Sequence, residues 1–271
     1  MVAIGGGMHS AEQEGRTVSE TRIGILALQG DFDAHARALT AGGLTPVLVR
    51  RPDELRSVAG LVLPGGESTT LIRLLRAYGL WEPLRRFPAQ GKILFGTCAG
   101  LILMARRVQG PEQASLGLLP ATVERNAYGR QVDSFVVPGT VLLPADLGFE
   151  RPTAQSEGPW GAGAAGRVVP DGAAVSGLTS TAAGAAVAEF ETPATDSRPA
   201  ATEFVFIRAP RIVALDPRVE VLARHAGAPV LVRHENLLGA SFHPELATDG
   251  IVVSIFAAMV AQAQRRRPAQ G

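Results

Sequence analysis

Short, continuous apolar segments alternate with helical periods along most of the chain, and this alternation constrains the fold more than any other feature. Residues 23–28 (IGILAL) form such a segment, the kind that a buried parallel strand has because both faces of its sheet are covered. In the next segment, 31–41, apolar side chains recur at helical spacing, which predicts a helix. Further predicted strands are 47–49, 61–63, 93–95, 204–207, 229–233 and 237–242.

Three more helices are predicted between and after these strands. One is opened by Ser68 as its N-cap, one covers 101–108, and one begins near residue 250. Such an order predicts an α/β domain, a three-layer sandwich with a mixed, mostly parallel central sheet flanked by helices, of the flavodoxin-like kind. Because the last strands follow one another without helices, we expect that end of the sheet to be antiparallel or mixed.

Composition excludes several classes of protein. The 26 Lys and Arg residues are balanced by 25 Asp and Glu residues, so we expect no nucleic-acid partner. The single cysteine permits no internal disulfide and favours a reducing, cytoplasmic location. Residues 1–20 lack the pattern of a signal peptide, and the apolar stretch 251–263 is shorter than the roughly 20 residues that a membrane span needs. We therefore expect no membrane association.

Two segments differ from the rest of the chain in composition. Residues 1–20 show neither helical nor strand periodicity, and we expect a flexible leader there. The segment at about 147–202 is dominated by Ala, Gly, Pro, Thr and Ser, and we expect most of it to be a mobile surface insertion. The remaining chain, 21–271, is predicted to form a single domain.

Cys98 lies in the pentapeptide Gly-Thr-Cys-Ala-Gly at 96–100, between an apolar strand and an apolar helix. This context is typical of a nucleophile elbow, where small neighbours leave room for a sharp turn. The helix that follows directs its N–H groups and dipole at the sulfur, which favours the thiolate. A lone cysteine is more commonly a small buried hydrophobe, and that alternative stays open at this point.

A cysteine nucleophile needs a base and an orienting acid, and His243 is the best candidate base. It ends the apolar segment 237–242 and is followed by Pro244, which fixes a turn. That turn can bring Glu245 back to the imidazole, where it would fix the tautomer and the orientation. We expect no catalytic role for the other histidines, one in the leader, one in a core or helix-cap position and two in exposed turns: His9, His35, His225 and His234.

A glycine-rich turn, Leu-Pro-Gly-Gly-Glu-Ser-Thr-Thr at 63–70, leads from a predicted strand into a predicted helix. It lacks the spacing and the lysine of a phosphate-binding loop. Bare backbone N–H groups at such a helix start can form an oxyanion hole beside a nucleophile elbow. An ordinary strand-to-helix turn is the alternative.

Six motifs in chain order carry a family resemblance: 27–32 together with His35, 64–70, 96–103, 125–131, 206–210 and 241–246. Together they resemble the triad class (class I) of glutamine amidotransferases and, within it, the glutaminase subunit of pyridoxal 5′-phosphate synthase. The Gly-Glu-Ser triplet at 66–68 and the Arg-Asn-Ala-Tyr-Gly-Arg-Gln stretch at 125–131 are more specific than the triad, which many amidotransferases share. The leader and the insertion exceed the usual length of the family.

The resemblance implies a role for each matching residue. Cys98 would attack L-glutamine and form a glutamyl thioester, His243 would act as base and then as acid, and Glu245 would orient His243. Glutamine would be bound by Gly66, Glu67, Ser68, Arg125, Ile207 and Arg208. The oxyanion would meet backbone N–H groups of Gly65, Gly66 and Ala99. The resemblance implies no metal and no cofactor.

The resemblance also implies a partner. Ammonia released from glutamine would pass to a synthase subunit with a (β/α)8 barrel, which makes pyridoxal 5′-phosphate in vitamin B6 biosynthesis. Many glutaminase subunits would surround a double-ring synthase core, and docking would complete the oxyanion hole.

Two alternatives remain. The chain could serve another biosynthetic synthase, against which the 125–131 and 206–210 motifs argue, or it could be a silent regulatory subunit, against which the complete triad argues.

Overall fold

A computed structural model describes residues 21–125, 127, 134–149 and 198–266. The predicted leader and residues 150–197 of the predicted insertion lie outside these ranges. The described residues form five helices: α1 Phe32–Ala41, α2 Ser68–Ala77, α3 Trp81–Arg86, α4 Ala99–Met104 and α5 Ile251–Arg266. They form twelve strands: β1 Arg22–Leu26, β2 Thr45–Val49, β3 Gly60–Leu63, β4 Ile93–Thr97, β5 Ala105–Gln109, β6 Leu119–Glu124, β7 Phe135–Leu143, β8 Arg198–Phe206, β9 Arg211–Leu215, β10 Glu220–His225, β11 Ala228–His234 and β12 Leu237–Ala240.

A seven-stranded sheet in the order β10-β11-β12-β4-β3-β1-β2 forms the middle layer. The five strands from β12 to β2 are parallel, whereas β10 and β11 pair antiparallel with their neighbours. The mixed, mostly parallel sheet and its antiparallel end are therefore confirmed. β12 pairs in parallel with β4, in a register that sets Leu238 opposite Phe95 and Ala240 opposite Thr97.

Two hydrophobic clusters cover the two faces of this sheet. One contains Leu71 and Leu75 of α2 together with the apolar side chains of α4. The other contains Leu39 of α1 and Phe256 of α5. Because successive strand residues point to opposite faces, Ile25 belongs to the second cluster and the next residue, Leu26, to the first.

Beyond the main sheet lie a three-stranded sheet, β5-β6-β9, and an antiparallel ribbon of β7 and β8. The ribbon pairs from Phe135 opposite Phe206 to Leu143 opposite Arg198. Residues 198–202, expected to belong to the insertion, are thus part of a strand, and Leu147 is buried in a short 3-10 helix. Backbone pairing with β7 orders residues 198–202, a segment of weak side-chain pattern, and the expectation of an insertion over the rest of this stretch stays a prediction.

Two details of the predicted helices are wrong. The helix expected over 101–108 ends at Met104, and the chain continues as β5, where the paired strand β6 determines the conformation. Ser68 is the first residue of α2 and not its cap. The Glu67 side chain accepts a hydrogen bond from the backbone N–H of Thr69, so a carboxylate takes the capping role expected of a hydroxyl.

Helix α5 has sixteen residues and packs against the sheet through its apolar side. The ring of Phe256 lies 5.4 Å from that of Phe95 in β4, and Val252, Ile255 and Val260 are buried beside it. Within the ranges that the structure describes, no helix combines the length and the apolar character needed to cross a membrane.

Candidate active site

Three of the predicted motifs meet at one edge of the main sheet. In parallel strands the carboxyl ends lie at the same edge, where α/β proteins bind their ligands. β3 leads there into the turn that contains Gly65, β4 leads into Cys98, and β12 leads to His243. The order β12-β4-β3 puts the cysteine between the histidine and the glycine-rich turn.

Cys98 occupies a strained turn between β4 and α4. Its φ of 48° lies in the left-handed region, which costs a non-glycine residue free energy and is seen where function holds it. The glycines on either side are required sterically. A Cβ on Gly100 would lie 2.0 Å from the carbonyl oxygen of Leu63, and one on Gly96 would lie 2.6 Å from the carbonyl carbon of Gly100.

His243 lies between the cysteine and the glutamate. Its backbone N–H donates to the Val205 carbonyl at 2.9 Å, and Pro244–Leu246 form a short 3-10 helix that turns Glu245 back. The Nδ1 atom of His243 is 2.8 Å from Oε1 of Glu245. Interaction with the Cys98 side chain raises the pKa of the same imidazole, and the Cys98 thiol donates a hydrogen bond to the Ile207 carbonyl at 3.8 Å. With Nδ1–H donated to the carboxylate, Nε2 is left for the sulfur.

His243 and Glu245 each shift the pKa of the other toward its charged form. Burial works to lower the pKa of His243, but its interactions with Cys98 and Glu245 outweigh burial and raise that pKa to about 10. Burial likewise works to raise the pKa of Glu245, yet His35 and His243 hold it below its ordinary value. At neutral pH an imidazolium therefore lies between the Glu245 carboxylate and the sulfur of Cys98.

The raised pKa of His243 predicts a pH-dependent contribution to stability. Because the folded pKa exceeds the unfolded value of 6.5, this contribution is complete below pH 6.5 and is lost as the pH rises through about 10. We expect the melting temperature of His243→Gln to lie furthest below that of the wild type near pH 7 and to approach it by pH 10. Thermal unfolding at several pH values measures this difference.

His225→Gln is the matched control for this comparison. Burial lowers the pKa of His225, so that imidazole is neutral throughout the range from pH 7 to pH 10. Its substitution should change the melting temperature by a constant amount. A constant difference for His243→Gln as well would contradict the charged state assigned to His243.

A pocket of about 200 Å³ opens beside Cys98 and His243. Its wall includes Gly65 and all six residues predicted to bind glutamine. These six are Gly66, Glu67, Ser68, Arg125, Ile207 and Arg208. Ala99, predicted to contribute its backbone N–H, is buried behind Cys98 and does not line the pocket. Among the described residues, no group of three His, Cys, Asp or Glu side chains is arranged to hold a metal ion.

Two charged residues of the pocket pair with each other. Nη2 of Arg125 lies 3.3 Å from Oε1 of Glu67, an oxygen that also accepts hydrogen bonds from the N–H and the hydroxyl of Thr69. The Arg125 side chain is largely buried, whereas that of Glu67 is half exposed. A substrate with both an ammonium and a carboxylate therefore meets a ready pair of opposite charges.

Three polar residues near this pocket were missed as site residues by the sequence analysis. Oε1 of Gln29 accepts from the backbone N–H of Glu67 at 3.0 Å, and Oε1 of Gln113 accepts from the Ser68 hydroxyl at 3.0 Å. Nε2 of His35 lies 3.5 Å from Oε1 of Glu245, although a core or cap role was expected. The signal for His35 was a single ionisable side chain on the apolar face of a predicted helix.

Comparison with known proteins identifies the family. A model of the SNO glutamine amidotransferase family matches residues 25–140 and 182–262. The pyridoxal 5′-phosphate synthase subunit PdxT of Frankia casuarinae is 44% identical, over 88% of this chain and 94% of its own. That of Bacillus velezensis is 40% identical, over 88% and 93%.

Solved structures agree with this assignment. A structure described as a glutamine amidotransferase is 36% identical, covers 88% of this chain and 98% of its own, and has a TM-score of 0.63. PurLQS from Thermotoga maritima, at 15% identity and a TM-score of 0.55 over 90% and 97% of the chains, shares the fold. The resemblance carried by the six motifs is thus confirmed, and the chain belongs to the SNO glutamine amidotransferase family.

Proposed function

We propose that the chain is the glutaminase subunit of a pyridoxal 5′-phosphate synthase, hydrolysing L-glutamine to L-glutamate and ammonia. The observation that carries this function is the meeting of Cys98, His243 and Glu245 at one site. Nδ1 of His243 lies 2.8 Å from Oε1 of Glu245, and Cys98 and His243 share the wall of a pocket that the predicted glutamine-binding residues line. Relatives similar over about nine-tenths of the chain carry the name of that synthase's subunit. The ammonia would then serve vitamin B6 biosynthesis.

The geometry supports a two-stage mechanism. The Cys98 thiolate attacks the carboxamide carbon of glutamine, and the His243 imidazolium gives its proton to the nitrogen that leaves as ammonia. The product of this stage is a glutamyl thioester on Sγ. His243 then takes a proton from water, whose oxygen attacks the thioester carbon, and glutamate leaves as the thiol is restored. Glu245 holds the imidazole in one orientation throughout.

For substrate binding, we assign Arg125 to the α-carboxylate of glutamine and Glu67 to the α-ammonium, with Gly66, Ser68, Ile207 and Arg208 completing the wall. The mutual ion pair of Arg125 and Glu67 supports this assignment, because each charge exchanges one opposite partner for another on binding. We also assign the oxyanion to backbone N–H groups of the Gly65–Gly66 turn and of Ala99 at the start of α4.

Replacement of Glu245 by glutamine should slow hydrolysis without weakening glutamine binding. The amide keeps the size of the side chain but removes the charge that holds the Nδ1–H of His243 at 2.8 Å. We expect kcat to fall about 100-fold, the scale of misplaced acid–base catalysis, with KM changed less than about threefold. Steady-state glutamate release measures both constants.

Glu82→Gln supplies the control, since Glu82 lies exposed on α3 in an ion pair with Arg85. Its kinetic constants should equal those of the wild type. Unchanged kcat in Glu245→Gln would mean that another group orients His243.

We infer that the partner is a synthase subunit with a (β/α)8 barrel, assembled as a double ring that carries many glutaminase subunits. The free thiol on which the mechanism depends needs a reducing compartment, which supports a cytoplasmic location.

We also keep the division of the chain into a leader over 1–20 and one glutaminase domain over 21–271 with an insertion. The two core clusters on one shared sheet support a single domain.

Glutamate release from glutamine, assayed with and without the synthase of the same cell, tests this function. We expect turnover with the synthase and, given a pentose phosphate and a triose phosphate, formation of pyridoxal 5′-phosphate from the amide nitrogen. Turnover that responds only to a different synthase would contradict the proposed partner. The absence of turnover under every condition would contradict the proposed activity.

A further inference from the structure

His35 is a buried, ionisable residue that the mechanism so far does not use. It projects from α1 and is 2% exposed. Its Nε2 atom lies 3.1 Å from Oγ1 of Thr97, the residue before the nucleophile, and 3.5 Å from Oε1 of Glu245. One imidazole nitrogen thus faces two of the segments that form the active site.

The surroundings determine where the proton of His35 lies. A carboxylate only accepts hydrogen bonds, so an unprotonated Nε2 would set its lone pair against Oε1 of Glu245. The tautomer with hydrogen on Nε2 removes this repulsion and directs a donor toward both Thr97 and Glu245. Burial lowers the pKa of His35, and nearby His243 adds to this effect, while Glu245 and Asp31 oppose it. The ring is therefore neutral with a single N–H.

The Glu245 carboxylate depends on this donor for its orientation. Oε1 lies between two imidazoles, at 2.8 Å from Nδ1 of His243 and 3.5 Å from Nε2 of His35. Its other oxygen, Oε2, is buried and has no hydrogen-bond partner among the described residues. Without His35, His243 would be the one remaining side chain among the described residues that contacts this carboxylate, and the carboxylate must in turn hold His243 in place.

We propose that His35 is a positioning residue of the glutaminase, whose Nε2–H orients the Glu245 carboxylate and the Thr97 hydroxyl and so keeps His243 aligned with Cys98. This inference rests on the proposed function and extends it to a residue outside the triad. His35 does not line the pocket, so its effect passes through Glu245.

Two substitutions separate the effect of losing the Nε2–H donor from the effect of losing the packing volume of the ring. His35→Leu fills the space without a donor, and we expect kcat to fall about 10- to 100-fold, as small misalignments of reacting groups do, with KM for glutamine unchanged. His35→Gln carries an amide N–H at a similar reach and should restore kcat to within about fivefold of the wild type. Both are assayed in complex with the synthase.

The pH profile of kcat/KM provides a readout that loss of packing alone does not move. His35 and His243 both hold the pKa of the Glu245 carboxyl below its ordinary value. Asp31, at the start of α1, acts on His35 instead, whose pKa it works to raise. Loss of the Nε2–H raises the pKa of Glu245, so the acid limb of the profile should move to higher pH in His35→Leu. In His35→Gln it should stay near that of the wild type.

Leu39→Ala is the structural control, since Leu39 lies buried one turn further along α1. It should lower the melting temperature while leaving kcat and the acid limb unchanged. Unchanged kcat and acid limb in His35→Leu would overturn the proposal. The proposal would also be overturned if kcat fell equally in His35→Leu and His35→Gln, or if it fell as much in Leu39→Ala.

Alkylation of Cys98 by iodoacetamide extends the test to the isolated chain, where Cys98 is the sole cysteine. The reaction should be about tenfold slower in His35→Leu near neutral pH and near the wild-type rate in His35→Gln and Leu39→Ala. Equal rates in all four proteins would overturn the proposal. A wild type that never hydrolyses glutamine would contradict the proposed function instead, and the alkylation rates would still decide the role of His35.

Discussion

Replacement of Cys98 by alanine is expected to abolish glutamine hydrolysis. Every step of the mechanism passes through Sγ, and no other thiol exists in the chain. We expect glutamate release to fall by at least about four orders of magnitude, as in other enzymes that lose a nucleophile. The measurement is glutamate formation in the presence of the synthase.

The same variant should keep its fold and its partner. Cys98 is 7% exposed, and alanine removes one sulfur atom without adding volume, so the melting temperature should change by only a few degrees. Ammonium supplied in solution should replace the missing ammonia and restore pyridoxal 5′-phosphate formation by the complex. Persistent glutamate release by Cys98→Ala would exclude Cys98 as the nucleophile, and failure of ammonium to rescue synthesis would show that the variant damages the complex.

Replacement of Gly100 by alanine is expected to have the largest effect on folding. In a helix, alanine is favoured over glycine by about 1 kcal/mol, which taken alone predicts a more stable protein. The new Cβ, however, would lie 2.0 Å from the backbone oxygen of Leu63, which belongs to a buried strand and cannot move alone. We expect the free energy of unfolding to fall by more than about 3 kcal/mol.

Gly117→Ala provides the comparison. Gly117 has a φ of 70° and no atom within 4 Å of a built Cβ, so alanine there incurs only the cost of a left-handed backbone, about 1 kcal/mol. Thermal and urea unfolding of both variants should place Gly100→Ala well below Gly117→Ala. Equal stabilities would show that α4 and β3 can separate without cost, and the close packing behind the nucleophile would then have no energetic importance.

The parts of the fold next to the active site were predictable because their residues obey strong local rules. The elbow needs small residues at 96 and 100, because a Cβ at 100 would meet the Leu63 backbone and one at 96 would meet the backbone of Gly100 in α4. The continuous apolar runs of β1, β3 and β4 reflect burial on both faces of a parallel sheet. Because parallel strands all end at one edge of the sheet, and α/β proteins bind their ligands at the carboxyl ends, the site could be expected at that edge.

What the sequence did not reveal depends on contacts between distant residues. β5 was predicted as helix because its partner β6 and not its own pattern determines its conformation. β7 was not predicted, and of β8 only the end was, as the strand over 204–207; the two strands pair residues more than 50 positions apart along the chain. For His35 the sequence indicated only a polar side chain on the apolar face of a helix. Its contact with Glu245 joins two separate elements of the fold.

The most direct measurement is the identity of the atom that receives the glutamyl group. A glutamine analogue with a diazoketone in place of the carboxamide should react once per chain, and mass spectrometry of the digested protein should find the added mass on the peptide that contains Cys98. Glutamine in excess should prevent the reaction. Modification of any other residue, or a fully modified Cys98 with undiminished glutamate release, would contradict the thioester mechanism.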